Sequence, residues 1–312
     1  MADDALFALG TVLLAGVFDA LLGEPPAPAH PVVWIGKLIG MFERRRPRRA
    51  PRREFAWGLL TVLVVGMVTG GVAWVAARGI ALLPWWGQLP LLAYLLKTTF
   101  SLRGLVDAGR AMQRALARDT AAAREELRAL VSRSRDLDPP KIVSATVESL
   151  AENLTDSVLA PLLAFAVFGL PGAAIYRAIN TMDAMIGYRG EYEYYGKAAA
   201  RLDDAANWLP ARLAGAVLCL VTAVFGGFTR ALSVLARERR AVESPNAAWT
   251  MAPMAGALRV QLEKAGHYRL GIPGRPLTPE RIGEAITLVW CSGVCYVLMG
   301  GTLAAVLAHL IW

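Results

Sequence analysis

Carboxylates, amides and basic residues recur in this sequence at helical spacing, gathered at the borders of apolar runs. The run ESLAENLTDSV carries Glu148, Glu152 and Asp156, with Asn153 beside them. A spacing of four puts the three acids in one stripe down a helix. On a solvated helix such a stripe costs about 0.2–0.5 kcal/mol per pair and needs no chemistry. At the mouth of a membrane cavity it would need cations, either Mg²⁺ or nearby arginines. A second set holds Asn180, Asp183, Gly187 and Tyr188, then Lys197, Arg201, Asp203, Asp204 and Asn207. That mixture suits magnesium-phosphate chemistry, with carboxylates for the hard metal and Lys or Arg for phosphate oxygens. It suits a salt-bridged helix pair equally well. A third set, Asp19, Glu24, His30 and Lys37, reads either as a polar site or as a capped helix end with a proline-bounded turn. A fourth, Ser244, Asn246 and Trp249 with Met254, Gly256, Gly266 and Tyr268, reads alone as a turn and a small-residue helix. No Walker loop, GxGxxG after a strand, HExxH or GxSxG elbow occurs, so these residues by themselves specify no reaction.

The elements that must position these groups are membrane helices. Of 312 residues 55% are apolar, and they fall in long runs. Runs of membrane-crossing length lie at 5–22, 57–77, 80–100, 213–235 and 286–311. A further run at 157–176 is interrupted by Pro161, Gly169, Pro171 and Gly172, and so reads as a kinked span, two half-helices or a re-entrant dip. The expected fold is all-α, a polytopic bundle of five to six membrane segments forming one domain over 1–312. The acidic Asp3 and Asp4 make the first run a span and not a cleaved signal. Asp19, in the last turn of that run, should face a partner or a cavity, because a central carboxylate costs about 2.5–3.5 kcal/mol in lipid.

The formal charge of +8 is concentrated in Arg44, Arg45, Arg46, Arg48, Arg49, Arg52 and Arg53. A short basic loop beside a span marks the cytoplasmic side and meets anionic headgroups, which favours the lipid bilayer over nucleic acid as its partner. Residues 103–148 read as amphipathic cytoplasmic helices, with Asp119 and Thr120 available as caps and Pro139-Pro140 as punctuation. Cys219, Cys291 and Cys295 all lie in apolar runs, as small buried hydrophobes and not as a disulfide framework or metal site.

Taken together, HPV..IGK, ESLAENLTDSVLAP, AINTMDAMIGY, YGKAAARLDDAANWLPARL and SPNA..W…MAGAL stand in the order and spacing of the cobinamide-phosphate synthase family (CobD/CbiB), which the chain resembles over most of its length. Departures are Glu24 where an Asp is expected, Arg133-Ser134 where Arg-Asp is usual, and Ala248 and Thr250 where Gly and Pro usually flank Trp249. The resemblance implies ATP-dependent amide formation between adenosylcobyric acid, a corrinoid, and 1-aminopropan-2-ol phosphate or the free aminopropanol, at the cytoplasmic face of the inner membrane. By chemistry type it implies Glu148, Glu152, Asp183, Asp203 and His30 as catalytic groups, and Mg²⁺ held by Glu152, Asp156, Asp183 and Asp204. Asn153, Asn180, Tyr188, Lys197, Arg201, Asn207, Asn246, Trp249 and Lys37 would hold substrate or phosphate. Other late enzymes of the cobalamin pathway would be further partners.

A full crossing at 157–176 would put Asp183 and Asp203 outside, away from ATP. A re-entrant segment keeps them cytoplasmic, at the expense of placing Arg237, Arg239 and Arg240 against the positive-inside tendency. Access to ATP is the stronger requirement, so a broken or re-entrant segment is expected. A transporter is the competing reading, since intramembrane carboxylates beside broken helices also form transport pathways.

Overall fold

A computed structural model describes residues 2–130 and 137–311. The described chain is helical apart from one two-stranded antiparallel ribbon, β1 Leu262–Lys264 with β2 Tyr268–Leu270. The helices are α1 Ala2–Leu22, α2 Pro31–Arg44, α3 Pro51–Ile80, α4 Trp85–Lys97, α5 Leu102–Arg118, α6 Thr120–Leu130, α7 Pro139–Leu154, α8 Ala160–Ile186, α9 Lys197–Ala206, α10 Trp208–Val224, α11 Phe228–Glu238, α12 Ala248–Leu258 and α13 Pro279–Ile311. Four stretches among the described residues are long and apolar enough to cross a membrane: Asp3–Leu22, Pro51–Ile80, Pro139–Ile186 and Pro279–Leu310. A fifth forms only if α9 and α10, which break at Asn207, are counted as one span. The protein is a polytopic helical membrane protein, as its composition predicts.

Two of the expected spans differ in detail. The run 80–100 gives only the 13-residue α4, because the chain turns before Pro84 and Thr98 ends the helix. At 213–235 the run is divided by Gly226-Gly227, where Gly226 adopts φ +66° and separates α10 from α11. The run at 157–176 is broken, as expected. Gly169 leaves helical geometry at φ +64° and ψ −161°, and a Cβ on Gly172 would sit 2.8 Å from the carbonyl oxygen of Ala164. Residues eight apart in a continuous helix are separated by about 12 Å along the axis. The chain therefore turns a sharp corner here, with exposed Val167 and Phe168 at its apex.

Contacts divide the chain into two compact units, one of 1–101, 159–207 and 297–312, the other of 102–158 and 208–296. The first has its core in Ile35, Ile39, Val62, Val65, Met182 and Tyr195, contributed by α2, α3, α8 and the loop before α9. On α3 the opposite face is apolar and exposed at Leu63, Met67, Val72 and Val75, the side such a helix turns to lipid. Gly58 lets α3 reach the loop, since a Cβ there would lie 1.9 Å from the Tyr195 carbonyl oxygen. In the second unit α10, α11 and α12 pack around Cys219, Ala231 and Leu235. Its amphipathic α5 and α6 meet where Asp119 Oδ1 accepts the Ala122 amide at 2.7 Å, the cap that the sequence supplies.

Candidate functional site

In the first unit, α8 presents Tyr176, Arg177 and Asn180 at spacings of three and four, on the face that meets α9. Tyr176 Oη donates to Asn207 Oδ1 at 2.7 Å, and Asn207 Nδ2 donates to Asp203 Oδ2 at 2.9 Å. Asn180 Nδ2 reaches Asp203 Oδ1 at 3.4 Å, while Arg177 Nη1 reaches Asn180 Oδ1 at 3.4 Å. Asp203 is 9% exposed and Asn207 1%, so a carboxylate is held in an apolar setting by two amides. The same helix turns Lys197 and Arg201 outward and leaves Asp204 half-buried.

Two glycines from the sequence motifs make this packing possible. A Cβ on Gly187 would fall 2.0 Å from Asp183 Oδ1, and one on Gly196 would fall 1.6 Å from the Ile186 carbonyl oxygen. The end of α8 and the start of α9 are thus pressed together, with Asp183 half-buried at the junction. Tyr188 is exposed on the loop between them, and Lys37 is exposed on α2. Arg46, from the basic run, is only 8% exposed. Its guanidinium donates to the Glu191 carboxylate at 2.5 Å and lies 4.5 Å above the Tyr192 ring, so this arginine anchors the loop.

His30 caps α2: its Nδ1 accepts the Val32 amide at 3.2 Å. Nε2 therefore carries the proton and donates to Glu24 Oε2 at 2.8 Å. With both nitrogens engaged, the ring is built for orientation. Lys97, fully buried at the end of α4, brings Nζ to 3.1 Å from the same Glu24 oxygen. Burial acts to raise the Glu24 pKa, but hydrogen bonds from His30 and Ser101 and the Lys97 charge outweigh it and hold the carboxyl at about 2. An apolar cavity of about 240 Å³ adjoins this cluster, lined among others by Pro31, Val32, Thr98, Leu170 and Arg177. It thus borders both the His30 cap and the arginine of the Asp203 network. Asp19 is 2% exposed, turned away from lipid as its cost demands.

In the second unit, Glu148 is 2% exposed and accepts from Ser144 Oγ at 2.7 Å and Tyr268 Oη at 2.6 Å. Ser144 Oγ also accepts the Glu263 amide at 2.8 Å, so the ribbon is pinned to α7 at the glutamate. Glu152, Asn153 and Asp156 are half-buried below it. The stripe then meets a π-helical turn, Thr155–Leu159, whose wider winding shifts the helical register beyond it. Asn153 bridges the turn, donating to the Ser149 carbonyl at 2.9 Å and accepting from Ser157 at 2.9 Å. The fourth motif closes around Arg212. Its guanidinium lies 4.0 Å from the Trp208 ring and 4.8 Å from the Trp249 ring, and donates to Asn246 Oδ1 at 3.4 Å. Asn246 is 7% exposed, and its amide is capped by Ser244 Oγ at 3.2 Å. Ser134 lies outside the described residues.

Among the described residues no three His, Cys, Asp or Glu side chains converge to hold a metal ion. Mg²⁺ seldom asks for such a cage; it keeps several waters and takes one or two carboxylates plus substrate phosphates. Sequence reasoning passed over Lys97, Tyr176, Arg177 and Arg212. Lys97 and Arg212 carried a usable signal, a cation inside an apolar run in the first case and at the start of one in the second. Tyr268, grouped by sequence with the fourth set, pairs instead with Glu148, 120 residues away.

Residues 12–289 match the family model described as CobD/Cbib protein. The chain is 41% identical over 297 residues to the cobalamin biosynthesis protein CobD of Dehalococcoides mccartyi (strain CBDB1), covering 92% of this chain and 94% of that one. It is 42% identical over 268 residues to the probable cobalamin biosynthesis protein CobD of Methanocaldococcus jannaschii, covering 83% and 87% of the two chains. For the probable cobalamin biosynthesis protein CobD of Thermococcus kodakarensis the figures are 42% over 291 residues, 91% and 92%. No solved structure matches the chain. The matched range spans the segments that form the buried networks, and the chain belongs to the CobD/Cbib family of cobalamin biosynthesis proteins.

Proposed function

We propose that this protein is an adenosylcobinamide-phosphate synthase, joining the free carboxylate of adenosylcobyric acid to the amine of 1-aminopropan-2-ol phosphate, or to the free aminopropanol, with cleavage of ATP. The observation that carries the reading is the Tyr176–Asn207–Asp203–Asn180–Arg177 network, which fixes polar groups of the family's own motifs inside an apolar unit. Burying so many polar atoms is costly unless each is partnered, and an arrangement kept at that cost suits a site more than a mere support.

A carboxylate is a poor electrophile. Its oxygen attacks the γ-phosphorus of ATP, ADP leaves, and an acyl phosphate forms; the amine then attacks the acyl carbon, loses a proton and expels phosphate. Mg²⁺ bound with the nucleotide would neutralise phosphate charge and needs only one or two protein carboxylates, for which the half-buried Asp183 and Asp204 of the first unit, or Glu152 and Asp156 of the second, are the candidates. The outward Lys197 and Arg201 suit phosphate oxygens, and Asp203 and Glu148 suit fixed acceptors. His30 positions the turn before α2, through its links to Val32 and Glu24. The run Arg44–Arg53 supports a cytoplasmic site in a multi-pass inner-membrane protein.

Purified protein in detergent, given the corrinoid, the amine phosphate and Mg-ATP, should release ADP in step with amide product. Omitting the corrinoid should stop ADP release. ATP cleavage that is indifferent to the corrinoid, or corrinoid movement across a vesicle membrane without amide, would refute the ligation reading.

A further inference from the structure

Between α11 and the segment after α12 lies a cavity of about 480 Å³ into which three arginines look: Arg230, Arg237 and Arg259. No Asp or Glu is among its lining residues. Glu238, the acid at the end of α11, is turned to another task, its Oε2 accepting the Gly271 amide at 2.6 Å. Three guanidiniums around one space repel each other, and an anion in that space removes the repulsion. The hydroxyls of Thr229 and Ser233 share the same wall, since 229, 233 and 237 fall at intervals of four on one helical face. Arg230 spends one donor on the Gly226 carbonyl oxygen at 2.8 Å and has four more.

The backbone of Arg259 supplies an independent indication. It ends α12 in the left-handed region at φ +58°, where glycine is the usual residue and a side chain costs about 1–2 kcal/mol. The conformation is held from both sides, by Arg259 N to the Gly256 oxygen at 3.3 Å and by Arg275 N to the Arg259 oxygen at 2.8 Å. Arg259, standing where glycine would be easier, places a third positive charge on the cavity. Across from it, Gly256 admits α11 closely; a Cβ there would lie 2.7 Å from the Arg230 carbonyl oxygen.

We infer that Arg230, Arg237 and Arg259, with Thr229 and Ser233, form a binding site for the phosphate group of an anionic ligand. Guanidinium forks and hydroxyl donors match phosphate oxygens, and the volume exceeds what a bare phosphate fills. The ligand is then a small organic phosphate or the headgroup of an anionic lipid. The inference does not rest on the ligation reading.

The test uses the full chain in uncharged detergent, titrated calorimetrically with inorganic pyrophosphate. A second arm compares retention of phosphatidylglycerol and phosphatidylcholine in nanodiscs. Arg230→Gln and Arg237→Gln, on an exposed helix face, and Arg259→Asn, which tolerates the left-handed backbone, should each weaken binding about tenfold. Arg240→Gln, outside the cavity, should not. Pyrophosphate binding lost in the three variants supports a soluble phosphate ligand; phosphatidylglycerol retention lost in them supports a headgroup. Absence of both, or equal loss in Arg240→Gln, overturns the site.

Discussion

Glu24 and Lys97 form an unequal pair, and the inequality fixes how their substitutions should differ. Lys97 is wholly buried, whereas the Glu24 side chain is 36% exposed and also receives His30. Glu24→Gln leaves a buried ammonium without its counter-charge and should cost about 3–5 kcal/mol. Lys97→Met leaves a carboxylate that keeps His30 and water, so the loss should be only about 1 kcal/mol after screening. The double variant Glu24→Gln/Lys97→Met should be more stable than Glu24→Gln alone, with a coupling of about 2 kcal/mol. Acid adds a second signature. The Glu24 pKa is lowered from an ordinary 4.5 to about 2 in the fold, so its contribution is complete above 4.5 and is lost as pH falls through 2. Unfolding in mixed detergent micelles, followed at pH 7 and pH 3 for all four proteins, measures both effects. A Glu24→Gln variant as stable as Lys97→Met, or a double variant less stable than either, would refute the reasoning.

Glu152→Gln should abolish amide formation while the protein still inserts and folds, because Gln keeps the size but not the charge a hard cation needs; full turnover at limiting Mg²⁺ would return Glu152 to a solvated helix face. Gly215→Ala should cost about 1–3 kcal/mol in thermal unfolding, since the new Cβ would lie 2.3 Å from the Trp249 carbonyl oxygen; an unchanged Tm would show that α10 and α12 can part freely. Single cysteines at the exposed Ala184 and Ala205, in a background lacking Cys219, Cys291 and Cys295, should react with an impermeant thiol reagent only from the cytoplasmic face. Labelling from outside intact cells would put α8 and α9 on the other side.

Hydropathy located α1, α3 and α13 because long apolar runs there coincide with single helices. It misjudged 80–100 and 213–235 because an average over a window does not register a turn, and the turns before Pro84 and at Gly226-Gly227 separate helices without lowering hydrophobicity much. The corner at Gly169 was legible, as proline and glycine announce themselves individually. Helical spacing likewise grouped Asn180, Asp203 and Asn207, since each pair is joined within one helix or across adjacent ones. It could not find Tyr268 on Glu148, or Arg212 between two tryptophans, because those meetings depend on tertiary packing.

The order of synthesis gives the Glu24–Lys97 contact a meaning beyond the finished protein. A lysine offered alone to the bilayer resists insertion, and the resistance falls when a counter-ion already waits there. The ribosome delivers Glu24 and α1 well before α4, and α1 is the helix on which α4 packs. The carboxylate is thus in place before the lysine it pairs with is made. A chain in which Glu24 is neutral should be slow to dock α4 against α1, a defect separate from any loss of activity.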